Sequence, residues 1–261
     1  MTAKLQRYKV WDLGTRTFHW VNAITVLIMI FLGILILNTD AFGIEGQGKV
    51  LLKTVHAYVG YVFVLNLFWR FIWAFTGNHY ARWKQLLAIG PGYLQSLKEY
   101  IHALRQGHAR PYLGHNPLGR LAVTLFFIVL LAQAITGLVI AGTDLYLPPF
   151  GNYFAEWVTG GDAARLAALV PGDKSAVVPE LYQEMRDFRE PFISLHEFGF
   201  FVICFLVVIH LVGVTFTEVK EKNSIVSAMI TGEKVIEGTP EDVEQQNEVQ
   251  ETKSASFNDG C

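Results

Sequence analysis

Charged residues are scarce in this chain, and cysteines are scarcer still. Asp, Glu, Lys and Arg make up 17% of the 261 residues, whereas they make up about 25% of an average soluble domain. The two cysteines are Cys204, which lies inside an apolar run, and Cys261. Two cysteines cannot form a disulfide framework, and Cys204 is expected to pack as a small apolar side chain. The composition therefore excludes a disulfide scaffold and is unusual for a soluble domain.

The sequence also lacks a recognisable constellation of nucleophile, general acid and general base. No residue is therefore assigned a catalytic role. The net charge of −2 says little, and nucleic acid is not expected among the partners of the protein.

The apolar residues of the chain are concentrated in long runs. Four long apolar runs occupy residues 21–37, 54–76, 121–143 and 198–217, and each is close to the roughly 20 residues that a helix needs to cross a bilayer. The prediction is an all-α, four-helix transmembrane bundle in the lipid bilayer, with spans at about residues 15–37, 53–76, 119–143 and 191–218. No A-x-A-like cleavage site follows the first run, which is also long for a signal peptide, so we interpret it as a retained helix.

The basic residues predict the orientation of these helices. Residues 1–18 contain four Lys or Arg residues and the loop at residues 77–120 contains six, whereas the first loop contains two. The loop at residues 144–191 is long but has only four bases among eight acids. Lys and Arg concentrate in cytoplasmic segments, so both termini are predicted to be cytoplasmic. Residues 1–235 form the predicted membrane domain, and the acid-rich residues 236–261 form a tail that is expected to be disordered.

The last apolar run carries two histidines, His196 and His210, at a spacing of 14 residues. On a helix this spacing falls about 40° short of four full turns, so both rings leave the same face, roughly 21 Å apart along the axis. An imidazole with unpaired nitrogens costs roughly a few kcal/mol in the bilayer. One interpretation is that each histidine binds the iron of a different haem. The alternative is that both are interior histidines hydrogen-bonded to neighbouring helices.

The predicted orientation sorts the other membrane histidines into matching depths. His19 begins the first helix and lies at the cytoplasmic level of His210, whereas His56 begins the second helix and lies at the outer level of His196. Two axial side-chain ligands per iron are typical of electron-transfer haems. The pairs His19/His210 and His56/His196 therefore predict two haems between the helices. Small residues that could leave space for a macrocycle lie near the proposed ligands. Gly60, Gly199 and Gly213 each follow a proposed ligand by three or four positions, and Gly33 lies 14 residues after His19.

Two arginines near the predicted cytoplasmic face are further candidates for cofactor binding. Arg70 lies inside the second span, where a charge is costly, and Arg16 lies near the start of the first. Each could extend its head toward the interface or pair with a haem propionate, and for Arg70 we favour the propionate. The histidines of the second loop, His79, His102, His108 and His115, are interpreted as surface residues.

Several motifs resemble those of a known family. R-T-F-H-W at residues 16–20 is similar to the family motif R-x-x-H-W, and G-H-N-P at 114–117 and I-T-G at 135–137 recur around the third helix. W-R-F-I-W-A-F-T-G-N at residues 69–78 resembles the end of the family's second helix, and S-A-M-I-T-G at 227–232 is similar to S-x-M-x-x-G. With the spacing of His196 and His210, these motifs resemble the b-type cytochrome subunit of membrane-bound nickel–iron hydrogenases, within the bacterial cytochrome b561 group. The resemblance extends from about residue 11 to residue 235.

This resemblance implies a protein of the bacterial inner membrane with two b haems that exchanges electrons with membrane quinone. It also implies docking to an extracytoplasmic redox subunit, either a hydrogenase or a multihaem c-type cytochrome. The acidic loop at about residues 144–190 is predicted to help dock this partner, because it is too long for a simple connector and lies beside the outer haem. Quinone oxidation or reduction would then take place at one face of the membrane. A haem-free membrane anchor or small transporter is an alternative function. An ascorbate-linked reductase would need histidine pairs on consecutive central helices, and the third helix has none.

Overall fold

The structure is a computed structural model that describes residues 5–221 and 224–243. Its helices are α1 (Leu13–Leu37), α2 (Gln47–Thr76), α3 (Trp83–Leu86), α4 (Tyr93–Gln106), α5 (Pro117–Leu145), α6 (Gly151–Thr159), α7 (Ala163–Ala168), α8 (Pro179–Glu221) and α9 (Ile225–Thr231). Two strands, β1 (Leu5–Lys9) and β2 (Glu233–Glu237), complete the fold.

Four of these helices, α1, α2, α5 and α8, are long and apolar enough to cross a membrane. At most 28% of the residues in the most apolar stretch of each helix are buried within the protein. Large apolar side chains therefore cover their outer surfaces, which is the arrangement that a lipid environment favours. The predicted all-α fold with four membrane helices is confirmed.

The membrane helices are longer than the predicted spans, and the largest difference concerns α8. The sequence predicts a start near Pro191, because proline is well tolerated in the first turn of a helix. In the structure α8 begins at Pro179 and continues through Pro191, although an internal proline removes one backbone hydrogen bond. Packing explains the extension. Met185 is fully buried and Tyr182 packs beside it against α6, and this apolar burial stabilises the added turns.

The chain divides into two compact units, which are described separately. Unit 1 comprises the described residues of Met1–His19, Trp69–Phe126 and Leu206–Cys261, and unit 2 comprises Trp20–Phe68 and Phe127–Phe205.

In unit 1, the segment before α1 pairs with the segment after α9. Strands β1 and β2 are antiparallel, with Leu5 opposite Glu237 and Lys9 opposite Glu233. Gly232 lies between α9 and β2 at φ +87°, where a side chain would be strained, and its carbonyl accepts from Val10 N and Trp11 N. This explains the glycine that ends the S-A-M-I-T-G motif. The predicted membrane domain ends at residue 235, but β2 continues to Glu237, and Ile236 is buried, with 1% exposed. Residues 244–261 of the predicted tail lie outside the described residues.

Asp12 organises the start of α1 in the same unit. Its carboxylate accepts from Thr15 N at 2.8 Å, which caps the helix, and also from Trp73 Nε1 at 3.0 Å and Asn78 N at 3.1 Å. Burial raises the pKa of Asp12, but these hydrogen bonds outweigh burial and leave the pKa below its usual value. A Cβ at Gly14 would lie 2.5 Å from the Trp73 ring. The motif at residues 69–78 therefore holds the end of α2 against the start of α1.

In unit 2, the acidic loop folds into α6, α7 and the first turns of α8. Gly160 ends α6 in the left-handed conformation, and the Asp162 side chain caps α7 by accepting from Arg165 N. The core beneath the loop consists of buried apolar side chains, namely Val139, Phe154, Val158, Val177 and Met185. The loop is therefore a packed structural element, and its acids are exposed except for Asp144.

Candidate functional site

Unit 2 brings His56 of α2 and His196 of α8 together. Their ring centres lie 6.2 Å apart with an interplanar angle of 74°. Both residues are half-buried. The structure thus joins the two histidines that the sequence places at one depth.

Helix α5 contains no histidine, but it positions His196. Thr136 Oγ1 lies 2.9 Å from His196 Nδ1, and the Thr136 side chain is buried, with only 2% of the residue exposed. The Thr136 hydroxyl donates its proton to the Ala132 carbonyl at 2.8 Å, so it accepts a hydrogen bond from His196 Nδ1–H. The proton of the neutral imidazole is thereby held on Nδ1. Nε2 is left with its lone pair, which is the form that binds a metal.

The backbone of His196 is held by the same helix. Gln133 Nε2 donates to the His196 carbonyl at 2.8 Å. A Cβ at Gly199 would lie 2.0 Å from Gln133 Nε2, and a Cβ at Gly137 would lie 3.2 Å from His196 Cε1. Gly199 therefore leaves space for Gln133, although the sequence interpretation assigned that space to a macrocycle. Gly137 permits α5 to approach the imidazole closely.

These contacts were not predicted from the sequence. The motif at residues 135–137 had no assigned role, and Gln133 was not a candidate. A glutamine and a threonine three residues apart in an otherwise apolar span are the signal that could have found them, since uncompensated polar groups are costly there.

A cavity of about 280 Å³ lies beside the two histidines of unit 2. His56, His196, Gly33 and Gly137 contribute to its walls, and most of the remaining lining is apolar. His56 Nδ1 is buried and has no hydrogen-bond partner among the residues that the structure describes. The cavity thus combines an apolar wall with two convergent imidazoles, a combination typical of cofactor sites.

Three charged side chains join α2, α5 and α8 at this cavity. Asp144 lies between two cations: Lys53 Nζ is 2.6 Å from Asp144 Oδ2, and Arg189 Nη1 bonds Asp144 Oδ1. Lys53 and Asp144 line the cavity, as does Glu197. None of these side chains was predicted as a site residue, because they are distant in sequence and lie at or beyond the predicted span ends.

Unit 1 brings together the second pair, His19 of α1 and His210 of α8. Their ring centres lie 6.5 Å apart with an interplanar angle of 49°. Phe126 of α5 packs edge-on against the His210 ring at 5.8 Å. Helix α5 therefore contacts one member of each pair.

The two candidate arginines lie in unit 1. Arg70 is 2% exposed, donates to the Ala81 carbonyl at 2.9 Å and stacks 5.6 Å from the Phe18 ring. A buried head does not fit the alternative in which Arg70 extends toward the membrane interface. Arg70 Nη1 is buried without a hydrogen-bond partner among the described residues.

Arg16 ties the start of α1 to the end of α9. Its Nη1 donates to the Ile230 carbonyl, and Arg16 Nε is buried without a partner in the described part of the chain. Like Arg70, it therefore retains a donor that a ligand carboxylate could use.

His115 differs from the surface histidine that the sequence predicted. Its ring centre lies 5.0 Å from that of Trp11, and its Nδ1 atom is buried without a hydrogen-bond partner among the described residues. Burial, followed by the nearby Lys234 and Arg70 charges, lowers the pKa of His115 to about 3. His115 is therefore neutral at physiological pH and belongs to the packed part of unit 1.

The chain is similar in sequence to known proteins over most of its length. A sequence model of the family described as prokaryotic cytochrome b561 matches residues 10–232. A Rhodobacter capsulatus protein named "Probable Ni/Fe-hydrogenase B-type cytochrome subunit" is 28% identical over 238 residues, which cover 85% of this chain and 79% of that protein. A Cupriavidus necator protein of the same name is 26% identical over 232 residues, covering 85% of each chain. The Escherichia coli K12 protein named "Probable Ni/Fe-hydrogenase 1 B-type cytochrome subunit" is 23% identical over 201 residues, or 68% of this chain and 82% of that protein.

Proposed function

Because the chain belongs to the prokaryotic cytochrome b561 family and is a multi-pass protein of the bacterial inner membrane, we propose that it is a di-haem electron-transfer subunit. In this proposal His56 and His196 bind one b haem, and His19 and His210 bind the other. The protein passes electrons between an extracytoplasmic redox partner and membrane quinone. The observation that carries the proposal is the pairing of four membrane histidines into two facing couples.

The separation of the paired rings supports this assignment. A metal–imidazole bond is about 2 Å long, so two imidazoles on opposite sides of one metal ion have ring centres about 6 Å apart. The observed separations are 6.2 and 6.5 Å. The contact of His196 Nδ1 with Thr136 Oγ1 is further support, because a histidine that binds a metal usually donates its other ring N–H to a hydrogen-bond acceptor.

A bound haem supplies one-electron transfer at this site, and two side-chain ligands leave no open coordination position on its iron. The chain's own residues supply the environment. Thr136 and Gln133 hold the orientation of His196, and the apolar lining of the cavity excludes water. Arg70 and Arg16 each offer a buried N–H that suits a propionate.

Counting haem tests the function directly. We expect a reduced-minus-oxidised spectrum of the purified protein to show b-type haem, with two haems per chain. A protein that contains no haem after expression with adequate haem supply would contradict the proposal and favour the haem-free anchor or transporter.

We propose that both termini face the cytoplasm, on the strength of the Lys and Arg distribution. A reporter of extracytoplasmic location should be active when fused after Leu37 and inactive when fused after Val243. The reverse pattern would overturn the assigned sides.

We propose a hydrogenase or c-type cytochrome as the partner, and the names of the relatives favour a hydrogenase. The acidic loop is the proposed docking element. Glu180, Glu184 and Asp187 are exposed at positions i, i+4 and i+7 of α8, so they lie on one helix face. A face of this kind complements a basic surface and speeds productive encounter.

The docking proposal predicts a selective effect of charge reversal. Changing Glu180→Lys together with Glu184→Lys should leave the haem spectrum intact and reduce co-purification of the partner, most strongly at low salt. Removing residues 151–174 would be a poor test, because Phe154 and Val158 belong to the buried core. Glu99→Lys, at an exposed position of α4, is the matched control. Undiminished co-purification of the double variant would contradict the proposal.

A further inference from the structure

Lys53 and Asp144 of the charged triad Lys53, Asp144 and Arg189 lie in the wall of an otherwise mostly apolar cavity. The side chains of Asp144 and Arg189 are only 14% and 12% exposed, whereas Lys53 is 44% exposed. Each residue comes from a different membrane helix, since Lys53 is in α2, Asp144 in α5 and Arg189 in α8. Charges inside membrane helices are costly unless they are paired, and they often mark functional sites.

The triad is not electrically balanced. One carboxylate lies between two cations, so the group carries a net charge of +1. Glu190 is nearby in sequence and Glu197 also lines the cavity, but both are exposed and compensate this charge less than a buried carboxylate would. Arg189 Nε is also buried without a hydrogen-bond partner among the described residues. The triad therefore has both spare positive charge and a spare donor.

The position of the triad indicates what it faces. Lys53 and Asp144 line the same cavity as His56 and His196. Lys53 also lies three residues before His56 on α2, which places both on neighbouring positions of the same helix face. A ligand held by the two imidazoles would therefore lie beside the Lys53 ammonium group, and a ligand carboxylate would complement that charge.

We propose that Lys53, held in place by the ion-paired Asp144 and Arg189, binds a propionate of the haem between His56 and His196, and that the triad tunes the midpoint potential of that haem. This inference rests on the proposed function, because it requires a haem at that pair. The triad acts through charge, and its members are positioning residues that do not bind the iron.

The charge argument gives effects of opposite sign for two substitutions. Oxidised haem iron carries one more positive charge than reduced iron, so a nearby cation disfavours the oxidised form. Lys53→Met removes a cation and should lower the midpoint potential of this haem. Asp144→Asn leaves two cations uncompensated and should raise it. A role confined to packing would not produce shifts in opposite directions.

The experiment is a potentiometric titration of the purified, haem-loaded protein, with each haem followed by its absorbance. We expect Lys53→Met to change the reduced-to-oxidised ratio of one haem about tenfold at a fixed potential, which is a shift of about 59 mV for one electron. The other haem should titrate as in the wild type. Lys49→Met is the matched control, because Lys49 lies one turn away on α2 and pairs with the exposed Asp40.

The double variant Asp144→Asn/Arg189→Gln keeps the net charge of +1, so its potential should lie close to that of the wild type. If Asp144→Asn does not accumulate because it leaves buried cations unpaired, Lys53→Met alone decides, since Lys53 is the most exposed member. Normal haem content with no shift in Lys53→Met, or an equal shift in Lys49→Met, would overturn the inference and leave the di-haem function standing. A wild-type protein without haem would instead overturn the proposed function.

Discussion

Replacing His196 with alanine is expected to remove the same haem signal that is lost when His56 is replaced. Replacing His19 or His210 should remove the other signal. The reason is that each iron would lose one of its two axial ligands, while the second pair remains intact in its own unit. The expected result is loss or conversion of one of the two haems per chain, measured by optical and electron paramagnetic resonance spectra of the four purified variants.

The matched control for this series is His102→Ala, because His102 is exposed on α4 and bonds Gln106. That variant should keep both haems. If His19→Ala and His56→Ala removed the same spectral component, the proposed pairing would be wrong. Full haem content in all four variants would favour the haem-free alternative.

Removing the Thr136 hydroxyl should weaken haem binding at one pair only. Thr136→Val keeps the shape of the side chain but loses the acceptor for His196 Nδ1–H, so the imidazole is no longer held in its metal-binding tautomer. Loss of such a supporting hydrogen bond typically costs about 10- to 100-fold in metal affinity. Haem titration into the depleted protein should show this loss for the His56/His196 signal, whereas the other signal should be unchanged.

Two further variants separate the hydrogen bond from packing. Thr136→Ser keeps a hydroxyl and should restore most of the affinity. Thr143→Val removes another buried hydroxyl of α5, which bonds carbonyls of its own helix, and it should leave haem binding unchanged. Equal losses in Thr136→Val and Thr143→Val would show that the Thr136 contact has no specific role.

Both the membrane helices and the histidine pairs could be predicted from the sequence, because both depend on the thickness and the sidedness of the membrane. A membrane span needs a fixed length of apolar residues, and helix periodicity with the Lys and Arg asymmetry then places each histidine at a depth. The structure brings together the same two couples, with ring centres 6.2 and 6.5 Å apart. Their role as haem ligands stays a prediction.

The contribution of α5 could not be predicted in the same way. Periodicity indicates that Gln133 and Thr136 are on an apolar helix, but it does not identify the neighbour that their polar atoms meet. The start of α8 was misplaced for a similar reason. Local propensity predicts a helix start at Pro191. In the structure the helix begins at Pro179, because tertiary packing buries Met185 and stabilises the earlier turns.

The pairing of β1 with β2 has a consequence for how the protein is made. Val10 and Trp11 are synthesised roughly 220 residues before their acceptor, Gly232. At about 5–20 residues per second, the early segment must wait roughly 10–45 s for its partner. The two-stranded ladder and the apolar cluster beneath it therefore close only after the last membrane helix has been synthesised. Unit 1 therefore cannot close before Gly232 has been synthesised.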